Sequence, residues 1–215
     1  AVIANSPLWP GAWAWTEEPV WPGEDLDAAR WLLETARARE DGDDGAGSVT
    51  VNFSVLTFED PVLEAMLQAF AAQWARVGIE LTIEAFPDTG YRQALRDGDF
   101  DAALVEHSAG HSTDPDIYTF WHVGQYPDGL NYGGVDDRRL SELLERARRE
   151  PWSVNRAELY REMQETFAER VIAIPLYYPV VVYATRPGVS GMQLDRTGIS
   201  ANRFESLEVW PVRTG

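Results

Sequence analysis

The 215 residues are 45% hydrophobic and 25% charged, ordinary values for a globular chain long enough for one substantial α/β domain or two small ones. A formal charge of -17 argues against a nucleic-acid role and against adsorption on an anionic membrane, because both need clustered cations. No apolar run approaches the ~18 residues of a membrane helix, and the absence of Cys removes disulfides, thiolate nucleophiles and sulfur metal sites.

The first 23 residues hold four tryptophans (Trp9, Trp13, Trp15, Trp21) and four prolines, with no helical or strand period and no signal-peptide pattern. Such a segment cannot build its own core. Its rings are expected either to pack on the domain that follows or to line an interface or ligand cleft, with Trp13 and Trp15 as candidate ligand contacts. A helix is predicted over 25–39, striped by Leu26, Ala29, Leu32, Leu33 and Ala36. After the polar turn "EDGDDGAG" a strand is predicted over 49–58.

Asp60-Pro61 predicts a helix start, with Asp60 capping orphan amides and Pro61 at a position whose N–H needs no partner. The buried face reads Val62, Leu63, Met66, Leu67, Phe70, Ala71, Trp74 and Val77, and Gly78 is the expected terminator. Alternation over 79–86 predicts a half-buried strand, followed by a short helix from Asp88 with Tyr91, Ala94 and Leu95 inward. "FDAALV" (100–105) is the third predicted strand. Strand, helix, strand, helix, strand with short connections implies a parallel sheet. Ligands of such sheets gather at the carboxyl ends of the strands, where "TFEDP", "FPDTGY" and "EHSAGHSTDPD" converge.

Residues 106–122 contain all three histidines, His107, His111 and His122. Asp114-Pro115 predicts a helix of one to two turns, with Asp114 as its N-cap and Ile117, Phe120 and Trp121 as its apolar face. The spacing of His107 and His111 suits a metal on a helix, but Ser108, Ala109 and Gly110 between them read as loop. A two-histidine site completed by Glu106 or Asp114 stays open as an alternative. Neither Ser108 nor Ser112 sits in a nucleophile-elbow context, and no spaced carboxylate pair stands out, so no catalytic residue, metal or cofactor is assigned. Later helices are predicted over about 137–150 (Leu140, Leu143, Leu144, Ala147 inward) and 155–169 (Leu159, Tyr160, Met163, Phe167 inward). The run "VIAIPLYYPVVVYATRPGV" reads as β-rich but broken by Pro175 and Pro179, and "FESLEVWPV" as a last short strand.

"DFDAALVEHSAGHSTDPDIYTFWH", "NYGGVDDRRLSELLERARRE" and "NRAELYREMQETFAERVIAIPLYYPVVVYATRPGVSGM" together resemble the second lobe of family 5 extracellular solute-binding proteins, the peptide, nickel and oligosaccharide receptors of ABC importers. The resemblance implies an α/β, periplasmic-binding-protein-like lobe of the large peptide-binding type II class, its mostly parallel sheet flanked by helices. It further implies an organisation of 1–24 as a crossover from a first lobe, 25–190 as the ligand-binding lobe and 191–215 as a return segment. Implied partners are a peptide or sugar solute, a missing N-terminal lobe and an ABC permease, with a monomeric receptor in the periplasm or outside the cell, free or lipid-anchored. In peptide-binding members an aspartate a few residues before "DPD" pairs with the ligand's α-amino group, and the matching position here is His111. A neutral imidazole cannot supply that charge, so Trp121, Tyr126 and Tyr132 with Gln125 and Asn131 suit a sugar or other neutral solute. His107, Ser112 and His122 complete the candidate ligand set. A nickel-type chelate receptor or a hydrolase are the alternatives to solute binding of this kind.

Overall fold

The computed structural model describes residues 1–17, 21, 23–40, 51–108, 114–180, 182 and 184, the side chains of 37–40 excepted. In chain order the elements are β1 (Val2–Ile3), α1 (Leu26–Glu40), β2 (Val51–Phe58), α2 (Pro61–Trp74), β3 (Ile79–Phe86), α3 (Asp88–Asp97), β4 (Ala102–Ala103), α4 (Tyr118–Trp121), α5 (Arg138–Arg149), α6 (Ser153–Glu169) and β5 (Tyr177–Tyr178). Short 3-10 turns lie at Ala75–Val77 and Val123–Gln125. Two compact units result. One is built from the described residues of Ala1–Trp21, His107–Asn131 and Val135–Gly215, the other from those of Pro22–Glu106 and Tyr132–Gly134.

The second unit is the parallel sheet, in the order β3-β2-β4, as the strand-helix alternation predicts. β2 and β3 pair in register from Val51↔Ile79 to Phe58↔Phe86. Asp60 caps α2 as expected, its carboxylate accepting from the Val62 and Leu63 amides. Gly78 stops that helical run in the left-handed region at φ 82, one 3-10 turn beyond α2. Burial is thinner than the stripes suggest: Leu67 is the buried residue of α2, whereas Val62 is 74% exposed. On α1, Leu26, Ala29 and Leu33 are half-buried but Leu32 and Ala36 are exposed. The third strand is shorter than "FDAALV" predicts. The Asp101 carboxylate accepts from the Ser54 amide at 2.7 Å, so a side chain occupies a donor that a longer ladder would have used.

The first unit is built on α5 and α6. Leu140, Leu143, Leu144 and Ala147 of α5 and Leu159, Tyr160 and Met163 of α6 form its core together with Leu8, Ala14 and Ile117. The N-terminal segment is therefore part of this core, the first of the two outcomes expected for it. Buried Gln164 fixes it there: Ser6 Oγ donates to Gln164 Oε1 at 2.6 Å, and Gln164 Nε2 donates to the Ala14 carbonyl at 3.1 Å. Such pairing is what lets polar atoms sit in a core without the desolvation cost of an unmade bond. β1 pairs antiparallel with β5, Val2↔Tyr178 and Ile3↔Tyr177. Among the described residues of the late β-rich run only Tyr177–Tyr178 forms a strand, between Pro175 and Pro179, neither of which can donate to a ladder. The predicted strand "FESLEVWPV" and the return segment 191–215 lie outside the described residues.

Candidate functional site

The platform around α4 is fixed by two arginine–aspartate clamps. Both oxygens of Asp114 accept from Arg156, each at 2.9 Å. Arg156 also donates from Nε to the Ala147 carbonyl at 2.8 Å and from Nη2 to the Tyr160 hydroxyl at 3.3 Å. One planar guanidinium thus ties the end of α5, the body of α6 and the Asp-Pro-Asp stretch together. Asp116 accepts from Arg148 at 2.7 Å and from the Tyr118 amide at 3.1 Å. The expected capping of the helix by Asp114 does not occur: α4 starts after Ile117 without a side-chain cap, and Asp114 accepts from the Asp116 amide at 3.1 Å instead. The charged bidentate pair takes the carboxylate that a cap would have used. The apolar face is as predicted, with Ile117 buried and Phe120 and Trp121 packed against the core.

His122 is 7% exposed, and both its ring nitrogens are engaged. Nδ1 accepts from the Gly124 amide at 3.0 Å, which requires Nδ1 to be unprotonated and places the proton on Nε2, 3.2 Å from Glu145 Oε1. The ring stacks on Tyr118 at 4.0 Å, and the Arg148 guanidinium covers the other partner, 3.8 Å from the Tyr118 ring centre. Asn131 is equally committed: Nδ2 donates to the Val135 carbonyl at 3.0 Å and Oδ1 accepts from the Val135 amide at 2.9 Å. It is 1% exposed and closes the loop that begins at Tyr126. Gln125 is half-buried, its side chain reaching the Gly124 carbonyl at 3.4 Å.

His107 differs from His122. It is accessible to solvent, yet its ring lies 4.2 Å from Phe120 and 5.3 Å from Trp121. Burial against these rings pushes the imidazole down to about 4, so it is neutral at ordinary pH. Trp121 in turn meets Phe167 edge-on at 4.9 Å. Trp13 is 41% exposed and stands edge-on to Tyr160 at 6.1 Å, with Arg156 at 5.4 Å from its ring. Trp15 is partly buried on the core and donates to Asn5 Oδ1 at 3.2 Å. Tyr132 belongs to the sheet unit, where with burial it raises the Tyr91 phenol to about 12. His111 and Ser112 lie outside the described residues. His107 and Trp121 are therefore brought together, His122 and Asn131 are spent on holding backbone, and Trp13 and Trp15 sit on separate partners. Arg148 and Arg156 escape sequence reading because their partners are 32 and 42 residues away. Among the described residues no group of three or more His, Cys, Asp or Glu is placed to hold a metal, and no helix is long and apolar enough to cross a membrane.

The family model for bacterial extracellular solute-binding proteins, family 5 (middle region), matches residues 1–128. The di/tripeptide-binding protein 1 of Pseudomonas aeruginosa (strain UCBPP-PA14) is 26% identical over 208 residues, which is 96% of this chain and 37% of that protein. The dipeptide-binding protein of Escherichia coli (strain K12) is 24% identical over 152 residues, 70% of this chain and 28% of that protein. The chain thus spans well under half the length of these relatives. Among solved structures, the periplasmic binding protein DppA of Helicobacter pylori in complex with the peptide STSA superposes with TM-score 0.76 at 24% identity, covering 99% of this chain and 39% of that one. The oligopeptide-binding protein AppA of Bacillus subtilis with a nonapeptide gives TM-score 0.73 at 21% identity, covering 99% and 42%. These likenesses bear out the α/β fold with a parallel sheet flanked by helices.

Proposed function

This chain belongs to the bacterial extracellular solute-binding proteins of family 5, and from that premise we propose that it helps to capture a short peptide for an ABC importer without chemical conversion. The observation that carries the reading is the match of the family over residues 1–128 together with relatives named as dipeptide- and di/tripeptide-binding proteins. A peptide is preferred to the oligosaccharide or nickel chelate that the sequence left open, because none of the curated relatives named above is described as a sugar or nickel receptor. The same reading proposes a permease partner, a location outside the cytoplasmic membrane, and a two-lobed receptor to which this chain contributes.

Within the chain, solute contacts are proposed from groups that still have accessible surface: in the first unit His107 with Trp121, Trp13 and Gln125, and separately in the sheet unit Tyr132, with His111 and Ser112 retained from the sequence. His122 and Asn131 are proposed to act one step removed, by holding the 3-10 turn and the loop after it. Closure on a solute must be driven by contacts that are better in the closed state than in the open one. Native mass spectrometry of the 215-residue chain with an equimolar mixture of di- and tripeptides, maltooligosaccharides and the nickel–histidine chelate tests the solute class. Peptide adducts are expected. Adducts confined to sugar or chelate overturn the peptide reading.

A further inference from the structure

The two ring nitrogens of His122 are both engaged, but their contacts answer differently to a second proton. In the neutral ring Nε2 carries the hydrogen that faces Glu145 Oε1 at 3.2 Å, and the Nδ1 lone pair accepts from the Gly124 amide at 3.0 Å. A second proton can enter the ring only at Nδ1. It leaves the Glu145 contact in place, now between opposite charges, and sets one N–H against another at Gly124. The approach at that point is close. A Cβ on Gly124 would lie 3.1 Å from Nδ1 and 3.3 Å from Cε1, so even a methyl group there would crowd the ring.

The Gly124 amide bond is the cap of the 3-10 turn Val123–Gln125, with His122 as the N-cap residue. The other side chains that hold this turn, Ser141 and Asn131, do not titrate. The Ser141 hydroxyl accepts from the Val123 amide at 3.2 Å, and Asn131 Nδ2 donates to the His122 carbonyl at 3.3 Å. The charged groups around the ring are matched in pairs. Glu145 accepts from Arg149 at 2.8 Å through its second oxygen. Arg148 is held by Asp116 at 2.7 Å and lies 3.8 Å from the centre of the Tyr118 ring, which stacks on His122 at 4.0 Å. Glu145 is thus an anchor on Nε2 in either protonation state, and only the Nδ1 side is free to change. Val123 and Tyr126 are 39% and 56% exposed, so the turn can move without opening the core.

We propose that His122 is a proton-operated latch: protonation at Nδ1 releases the Gly124 amide and opens the turn Val123–Gln125, while Nε2 stays on Glu145. The release depends on contacts within the first unit alone. Its bearing on solute capture, through Gln125, rests on the peptide reading above.

The test is an NMR titration of the full 215-residue chain from about pH 8 to about pH 5, the window in which an imidazole ordinarily changes charge, reading the His122 ring nitrogens and the Gly124 amide. No solute is present, so the outcome is independent of the peptide reading. The neutral ring is expected to be the Nε2–H tautomer. The Gly124 amide is expected to shift with the midpoint of the ring and to lose about fivefold of its protection against hydrogen exchange, the scale of one capping bond. His122→Asn keeps an acceptor for Gly124 at the same place in the side chain but cannot titrate, so its Gly124 amide is expected to stay unchanged across the window. Glu145→Gln leaves an acceptor for Nε2 without the charge and is expected to lower the midpoints of ring and amide together. A Gly124 amide that stays put while His122 titrates, or that moves equally in His122→Asn, overturns the latch. A ring that remains neutral down to about pH 5 overturns it too, as do midpoints that separate in Glu145→Gln. If the latch responds but peptides fail in the mass spectrometry above, the latch stands and the peptide reading falls.

Discussion

His107 and His122 show how one residue type is put to opposite uses by its surroundings. His122 is locked by a backbone amide on one nitrogen and a carboxylate on the other, while the ring of His107 lies against Phe120 and Trp121. Because burial lowers His107 from the usual 6.5 to about 4, its neutral form is favoured by folding. A depressed folded-state value gives stability that is present above about 6.5 and lost as pH falls through about 4. His107→Phe is therefore expected to match wild type near pH 7.5 and to melt at a higher temperature than wild type near pH 4.5, measured by circular dichroism. The gain falls short of the full ~1.4 kcal/mol per pKa unit because the ring is accessible to water. At this scale local rules misassign Asp114. Asp114 before a proline satisfies every local rule for a cap, and a guanidinium 42 residues away took it instead.

Helices whose apolar stripe is complete were legible almost to the residue. The predicted start of α5 at Asp137 is the observed one, with the carboxylate accepting from the Leu140 amide at 2.8 Å, and the four predicted inward residues are all buried. Short strands were not, because β4 and β5 have lengths set by which partner's backbone is free rather than by their own composition. The end of α6 holds a feature invisible to pattern reading. The Ile172 amide donates to the Phe167 carbonyl and the Val171 amide to the Ala168 carbonyl, each at 3.2 Å, which is a Schellman closure. It places Val171 at φ 49, a region that a β-branched residue occupies at a cost, and at 55% exposure its side chain recovers little packing. Val171→Gly is expected to raise unfolding free energy by about 1 kcal/mol in chemical denaturation, with the slope of the transition unchanged. A loss of stability would show that the valine side chain contributes more than its exposure suggests.

The whole chain is held folded against a charge of -17, with 35 acidic and 18 basic residues and ion pairs that mostly lie at the surface. Surface pairs add little, so the dominant electrostatic effect on the molecule is self-repulsion, which salt screens within about 10 Å at 0.1 M. Raising sodium chloride from low millimolar to half molar is expected to raise the melting temperature, by about 2–4 °C for each kcal/mol of repulsion relieved. A fall on adding salt would mean that the specific pairs, led by Arg156–Asp114, outweigh the net charge. Periodicity and motif spacing are properties of the chain alone, so the fold class, the alternation of strands and helices, the inward faces of α5 and α6 and the family were legible in the residues. Three-dimensional packing was needed to see that the aromatic N-terminal segment joins the α5–α6 core, that the chain divides into two units, and that His122 and Asn131 hold backbone groups. The docking of the N-terminal segment turns on Ser6 and Gln164, far apart along the chain, and a buried donor or acceptor finds its partner by proximity in space rather than by distance in sequence.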